Sequence, residues 1–130
     1  MPITYRIDTQ EKVIRTRCFG VVTFEEVVDH FRTLERDPEC PESLDVLLDV
    51  SEMSSVPKPG NIRNVPYEVA RIRDKVRFGA CAIVAGNDAI FGMLRIFAVM
   101  AERYFRVISV MRSAAEAEAW LVSQRETPAG

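Results

Sequence analysis

The chain has one histidine, three cysteines and no apolar run long enough for a bilayer, and each scarcity removes a class of protein. His30 has no cysteine or carboxylate at metal-ligand spacing on its own helix face, so no zinc site or other resident metal is expected. It is also the natural general base to look for, yet no nucleophile can be set beside it from the order of residues, and a helix-surface position is the expectation. Cys18, Cys40 and Cys81 make an odd set without C-x-x-C spacing, which fits reduced thiols in a cytoplasm rather than a disulfide framework. The longest apolar stretch is broken by Arg95 and falls short of the roughly 20 residues of a membrane helix, so no span is predicted. Met1-Pro2-Ile3-Thr4-Tyr5 has neither the basic start nor the apolar run of a signal peptide, and a cytoplasmic location is expected. Charge of one sign is missing too. With 17 Lys and Arg against 19 Asp and Glu, a net charge of −2 gives no global pull toward nucleic acid or anionic lipid. No Gly-Lys-Ser/Thr is present, which excludes a P-loop, and no cofactor is implied.

What is there is a strongly patterned chain of 130 residues, 48% of them hydrophobic, enough for one domain over 1–130 with a frayed tail at 126–130. Ile3 to Ile7 and Val13 to Phe19 read as strands around a polar Asp8-Thr9-Gln10-Glu11, an antiparallel hairpin. Cys18 here, and Cys81 later, fall inside strand patterns and are expected as small buried hydrophobes. Thr23 and Glu26 form a capping box, with Val22 and Val27 in the staple positions, so a helix starts there and ends near Asp37-Pro38. Leu44 to Val50 has little alternation, the mark of a central strand covered on both faces. A loop over Ser51 to Asn64 follows, and Pro66 suits the first turn of a second helix with Val65, Val69, Ile72 and Val76 on one side. Ala80 to Ala85 is a fourth strand, Asp88 a cap for the third helix, Arg106 to Met111 a fifth strand, and Ser113 with Glu116 a second capping box. The order β-β-α-β-α-β-α-β-α predicts an α/β fold: a mixed sheet with right-handed parallel crossovers and helices on both faces.

The third helix carries the sharpest anomaly. On a helical wheel its apolar arc, from Ile96 round to Phe91, spans roughly 220°, against the stripe of little more than about 100° that a one-sided surface helix needs. Ile90, Phe91, Met93, Leu94, Phe97 and Met100 on that arc are candidates for plain core, for a homodimer face, or for the wall of an apolar pocket.

Four strings in order resemble the SpoIIAA-like branch of the STAS family, domains related to anti-sigma factor antagonists and to lipid-binding SEC14-type folds. They are Gly20-Val21-Val22-Thr23-Phe24-Glu25-Glu26, Leu44-Asp45-Val46-Leu47-Leu48-Asp49-Val50-Ser51, Ala82-Ile83-Val84-Ala85 followed by Phe91-Gly92-Met93-Leu94-Arg95, and Ala115-Glu116-Ala117-Glu118-Ala119-Trp120-Leu121. The resemblance implies a STAS-like architecture and a regulatory or protein-interaction role. Asp49-Val50-Ser51 matches the strand end that precedes the phosphorylated serine of the antagonists, but Pro57-Lys58-Pro59-Gly60 holds no serine, and Ser54 and Ser55 come earlier than that pattern requires.

Asp49 and Ser51 follow the third strand, while Gly86, Asn87 and Asp88 follow the fourth, so these residues and the nearby Ser54 and Ser55 are candidate ligand- or partner-binding positions at the carboxyl ends of parallel strands. Tight turn and helix cap are the structural alternatives for Gly86 and Asp88. Acidic residues dominate Glu25 to Glu52, whereas Lys58, Arg63, Arg71, Arg73, Lys75 and Arg77 make the second helix and its flanks basic, either two solvated faces or patches that steer a partner. The sequence thus predicts a non-enzymatic cytoplasmic regulatory or interaction module, homodimeric through its third helix. The alternative is a small-molecule or lipid carrier that uses that helix as a pocket wall.

Overall fold

The computed structural model describes residues 2–55 and 58–126. The polar segment after the first strand folds as a tight turn because the Asp8 carboxylate accepts the backbone N–H groups of Gln10 and Glu11, each at 3.0 Å. Lys12 closes it at φ 56°. Strands β1 (Ile3–Asp8) and β2 (Val13–Gly20) therefore pair antiparallel, with Ile3 opposite Cys18 and Asp8 opposite Val13. Helix α1 (Phe24–Arg36) opens on the expected capping box, with Thr23 and Glu26 exchanging bonds, a device worth about 1 kcal/mol.

Strand β3 (Ser43–Met53) is central, as the weak alternation of Leu44 to Val50 predicts, and pairs parallel with β2 and with β4 (Arg77–Val84). Strand β5 (Val107–Met111) adds parallel to β4, so the five strands lie in chain order in one mixed sheet. Helices α2 (Pro59–Arg71), α3 (Asp88–Ala101) and α4 (Ala114–Glu126) complete the α/β domain, with a 3₁₀ turn over Glu102–Tyr104. The alternation of strand residues separates two layers of core. Cys18, Val50, Cys81 and Ile83 pack with Ile90, Leu94 and Phe97 of α3, and Ile14 and Leu44 with Leu34 of α1. The intervening Val13, Leu47, Ala80, Ala82 and Val84 pack instead with Ala117 and Leu121 of α4.

The boundaries that differ most from expectation do so for tertiary or local reasons. The fourth strand starts at Arg77, three residues before Ala80, because Arg77 and Phe78 find ladder partners in Ser43 and Leu44. The third strand runs three residues further, to Met53, because Glu52 and Met53 find ladder partners in Phe19 and Gly20. The second helix starts at Pro59, which takes the N1 position, so Pro66 lies inside the helix instead of opening it; residues 56 and 57 of the expected loop lie outside the described residues. Asn87, not Asp88, caps α3: its Oδ1 accepts the Ile90 N–H at 2.9 Å. The last helix continues to Glu126, and 127–130 of the expected tail lie outside the described residues.

Candidate ligand-binding cavity

Where β2 and β3 end, Gly20 turns the chain at φ +66° into Val21-Val22-Thr23, while Ser54 donates its N–H to the Gly20 carbonyl at 2.9 Å. The Ser55 hydroxyl accepts the Val22 N–H at 3.3 Å. These bonds tie the β2–α1 and β3–α2 connections together over the sheet. Beneath them, between the sheet and helices α1, α2 and α3, lies a cavity of about 430 Å³, inside the range of small-molecule sites.

Its floor is sheet: Ile14, Thr16 and Cys18 from β2, and Val46, Leu48 and Val50 from β3. Val27, His30, Phe31 and Leu34 of α1 form one wall, Val65 and Val69 of α2 another, and Leu94 and Phe97 of α3 a third. Val21, Thr23 and Lys58, all solvent-exposed, lie at the rim with Ser55 and Asn61. Among the described lining residues Lys58 is the only charged side chain.

Two polar groups stand on this apolar lining. Thr16 is 3% exposed. Its hydroxyl makes no hydrogen bond to another described residue, yet no described side-chain oxygen or nitrogen is sealed from solvent-sized space without a partner, so that hydroxyl must be reachable from the cavity. His30 is half-buried against the rings of Tyr5 and Phe31, 5.4 and 5.6 Å away between centroids, and burial lowers its pKa from 6.5 to about 4. It is a neutral imidazole at physiological pH, not the exposed helix-surface histidine that the sequence suggested. Tyr5 itself is turned elsewhere: its hydroxyl donates to Asp37 Oδ2 at 2.6 Å, and burial, with that bond, pushes its pKa up to about 12.

Sequence reading missed Thr16 and His30 as a pair, though a signal existed. Thr16 falls between Ile14 and Cys18 on a strand's apolar alternation, and His30 falls with Val27, Phe31 and Leu34 at helical spacing. A polar residue on an otherwise apolar face is the informative exception.

The expected recognition rim is assembled only in part. Gly86 does meet Ser51: a Cβ on Gly86 would stand 2.6 Å from the Ser51 carbonyl oxygen, so the two strand ends approach closely. Asp49 and Ser51 do not follow the third strand but lie within it, since β3 runs on to Met53, and Asp49 is occupied there, accepting the Ser51 N–H at 2.9 Å and hydroxyl at 2.6 Å. Asn87 is spent as the α3 cap, and Asp88 pairs with Arg112 at 2.8 Å. Ser54 is exposed, and of these positions only Ser55 lines the cavity.

On α3, Leu94 and Phe97 line the cavity, whereas Ile90 is sealed in the core and touches neither cavity nor solvent. Phe91, Met93 and Met100 are half-buried against the same core, and the Arg112 guanidinium lies 4.0 Å over the Phe91 ring. What remains exposed on this helix is Ile96 at 57% and Val99 at 69%. The surplus apolar arc is therefore largely covered within the chain itself. The acidic and basic stretches also partly satisfy each other: Arg71 of α2 pairs with Glu35 of α1 at 3.0 Å and with Glu68 at 3.2 Å.

Cys18, Cys40 and Cys81 are free thiols. Burial pushes Cys18 up to about 11 and Cys81 higher still, so neither serves as a thiolate nucleophile. Among the described residues no cluster of histidine, cysteine and carboxylate is arranged to hold a metal, and no helix is long and apolar enough to cross a membrane. No protein-family model matches the chain, and no curated protein matches it either.

Proposed function

We propose that this chain is a binding module without a chemical step of its own, of STAS-like or SEC14-like architecture, whose cavity between the sheet and α1, α2 and α3 takes a small apolar molecule. The observation that carries this reading is the 430 Å³ cavity with its almost wholly apolar lining. The cavity opens to solvent at its rim, so its apolar lining faces water until a guest covers it. Transfer of a guest's apolar surface out of water contributes roughly 25 cal/mol per Å² buried. The tie between the β2–α1 and β3–α2 connections sits over the cavity, so occupancy is sensed at a surface that a partner protein can read. A reducing, cytoplasmic setting agrees with the free thiols.

Naphthalene, apolar and without a hydrogen-bonding group, is the first probe. At ten times its Kd it should stabilise the fold by about 1.4 kcal/mol, read as a rise in melting temperature. Val46→Phe, which fills part of the floor, should abolish that rise. No shift in the wild type, or an equal shift in the filled variant, rejects the cavity as the site.

A second reading, homodimerisation through α3, is favoured by one observation: the exposure of Ile96 and Val99 one turn apart on α3, with Val99 sharing a surface depression with Tyr67 of α2, itself 66% exposed. Native mass spectrometry decides it. A dimer that dissociates in Ile96→Asp/Val99→Asp supports that face; a monomer in the wild type removes it.

A further inference from the structure

The cavity's polar groups say what kind of apolar molecule fits it, an inference that rests on the ligand-binding reading above. Thr16 sits on the floor and His30 on the α1 wall, and Tyr5 links them: it is the ladder partner of Thr16 across β1 and β2, and its ring meets His30 edge-on at 5.4 Å. Directly opposed residues of an antiparallel pair hold their Cβ atoms about 5 Å apart, so both polar groups belong to one end of the cavity. No hydrogen bond joins either side chain to another described residue, and neither holds a polar atom sealed from solvent, so both are free to bond a guest. The Thr16 hydroxyl donates one bond and accepts others, and a neutral imidazole presents one donor and one acceptor. Such a pair complements a group that both gives and takes a hydrogen bond.

Charge narrows the choice. Among the described residues the Thr16 and His30 end offers no countercharge, since Lys58, the one charged lining residue described, stands exposed at the rim. A carboxylate or ammonium carried to that depth loses its hydration and gains no ion pair. The volume sets the size: at ~30 Å³ for each water-sized group, 430 Å³ holds on the order of a dozen non-hydrogen atoms.

We propose that Thr16 and His30 are the specificity-determining anchor of this cavity, and that its ligand is an uncharged amphiphile, an apolar body of about a dozen non-hydrogen atoms bearing one hydroxyl.

The test is calorimetric titration of the full chain at neutral pH with 1-decanol, decanoate, decylamine and naphthalene. 1-Decanol should bind at least about tenfold more tightly than either charged analogue. Thr16→Val, which keeps the side chain's shape, should weaken 1-decanol by roughly three- to tenfold, the worth of one neutral hydrogen bond, and leave naphthalene unchanged. Thr16→Ser keeps the hydroxyl and should keep 1-decanol affinity; His30→Phe should weaken 1-decanol and spare naphthalene. If naphthalene binds but 1-decanol gains nothing and is indifferent to Thr16→Val, the anchor is overturned while the apolar site stands. If decanoate binds best and loses its advantage in Lys58→Ala, the head group lies at the rim and the anchor is likewise wrong. If none of the four binds, both the anchor and the ligand-binding reading fall.

Discussion

Replacing His30 by phenylalanine should flatten the acid limb of the protein's stability curve. In the unfolded chain the imidazole takes up its proton near pH 6.5; in the folded protein burial against Tyr5 and Phe31 delays this until about pH 4. Between those values the unfolded state binds a proton that the folded state refuses, so stability falls as pH falls. The contribution of the neutral ring is fully present above about pH 6.5 and is lost progressively down to about pH 4. Going from about pH 7.5 to about pH 5 should therefore cost the wild type on the order of 2 kcal/mol. The carboxylates do not obscure this window. Asp37, held low by the Tyr5 hydroxyl, and Glu118, held low by Arg15, begin to lose their stabilisation as pH falls through the ordinary carboxylate range and lose most of it below about pH 5, and His30→Phe leaves that loss unchanged. Phenylalanine keeps a ring beside Tyr5 and Phe31 but carries no titrating nitrogen. Urea unfolding of both proteins at several pH values across the window gives the comparison, with the linear slope checked for constancy. The variant should lose less than about a quarter of what the wild type loses. Parallel curves, or a wild type flat from neutral to about pH 5, would refute the claim that His30 is buried neutral in the cavity wall.

Other substitutions probe the frame around the cavity. Gly86→Ala would drive a Cβ to 2.6 Å from the Ser51 carbonyl oxygen, backbone that cannot swing aside, so it should destabilise by about 1–3 kcal/mol in a urea titration. Asp45→Ala removes the carboxylate that accepts the Ala80 N–H at 2.9 Å; a charge-assisted bond of this kind should cost about 1.5–3 kcal/mol, and Asp45→Asn should recover part of it. The bidentate Arg15–Glu118 pair joins β2 to α4 with both N···O distances at 2.9 Å, but its carboxylate is 45% exposed. Glu118→Gln should therefore cost no more than about 1 kcal/mol, less still in high salt.

Local signals in this sequence carried the scaffold and tertiary ones carried the site. The hairpin, the capping box at Thr23 and Glu26, and the central β3 all depend on residues within a few positions of one another, and each is where its pattern put it. The start of α2 was misplaced because two prolines compete for one N1 position, and nothing local distinguishes Pro59 from Pro66. The extension of β3 to Met53 depends on Phe19 and Gly20, more than thirty residues away.

The apolar excess of α3 illustrates the same limit from the other side. Its arc is too wide for one sheet face, but width alone does not say what covers it, and the answer is divided between core, cavity and solvent. Leu94 and Phe97 face the cavity, Ile90 faces the sheet, and Arg112 lies over Phe91 from the turn that follows β5. Helical phase fixes the angle between these side chains; only the placement of α1 and α2 over the same sheet face decides which angle opens onto a void. That is also why Thr16 and His30 looked unremarkable alone. A threonine in a strand and a histidine in a helix are ordinary residues; a hydroxyl and a neutral imidazole sharing one apolar chamber, both held against Tyr5, make a chemical preference for an uncharged hydroxyl-bearing guest.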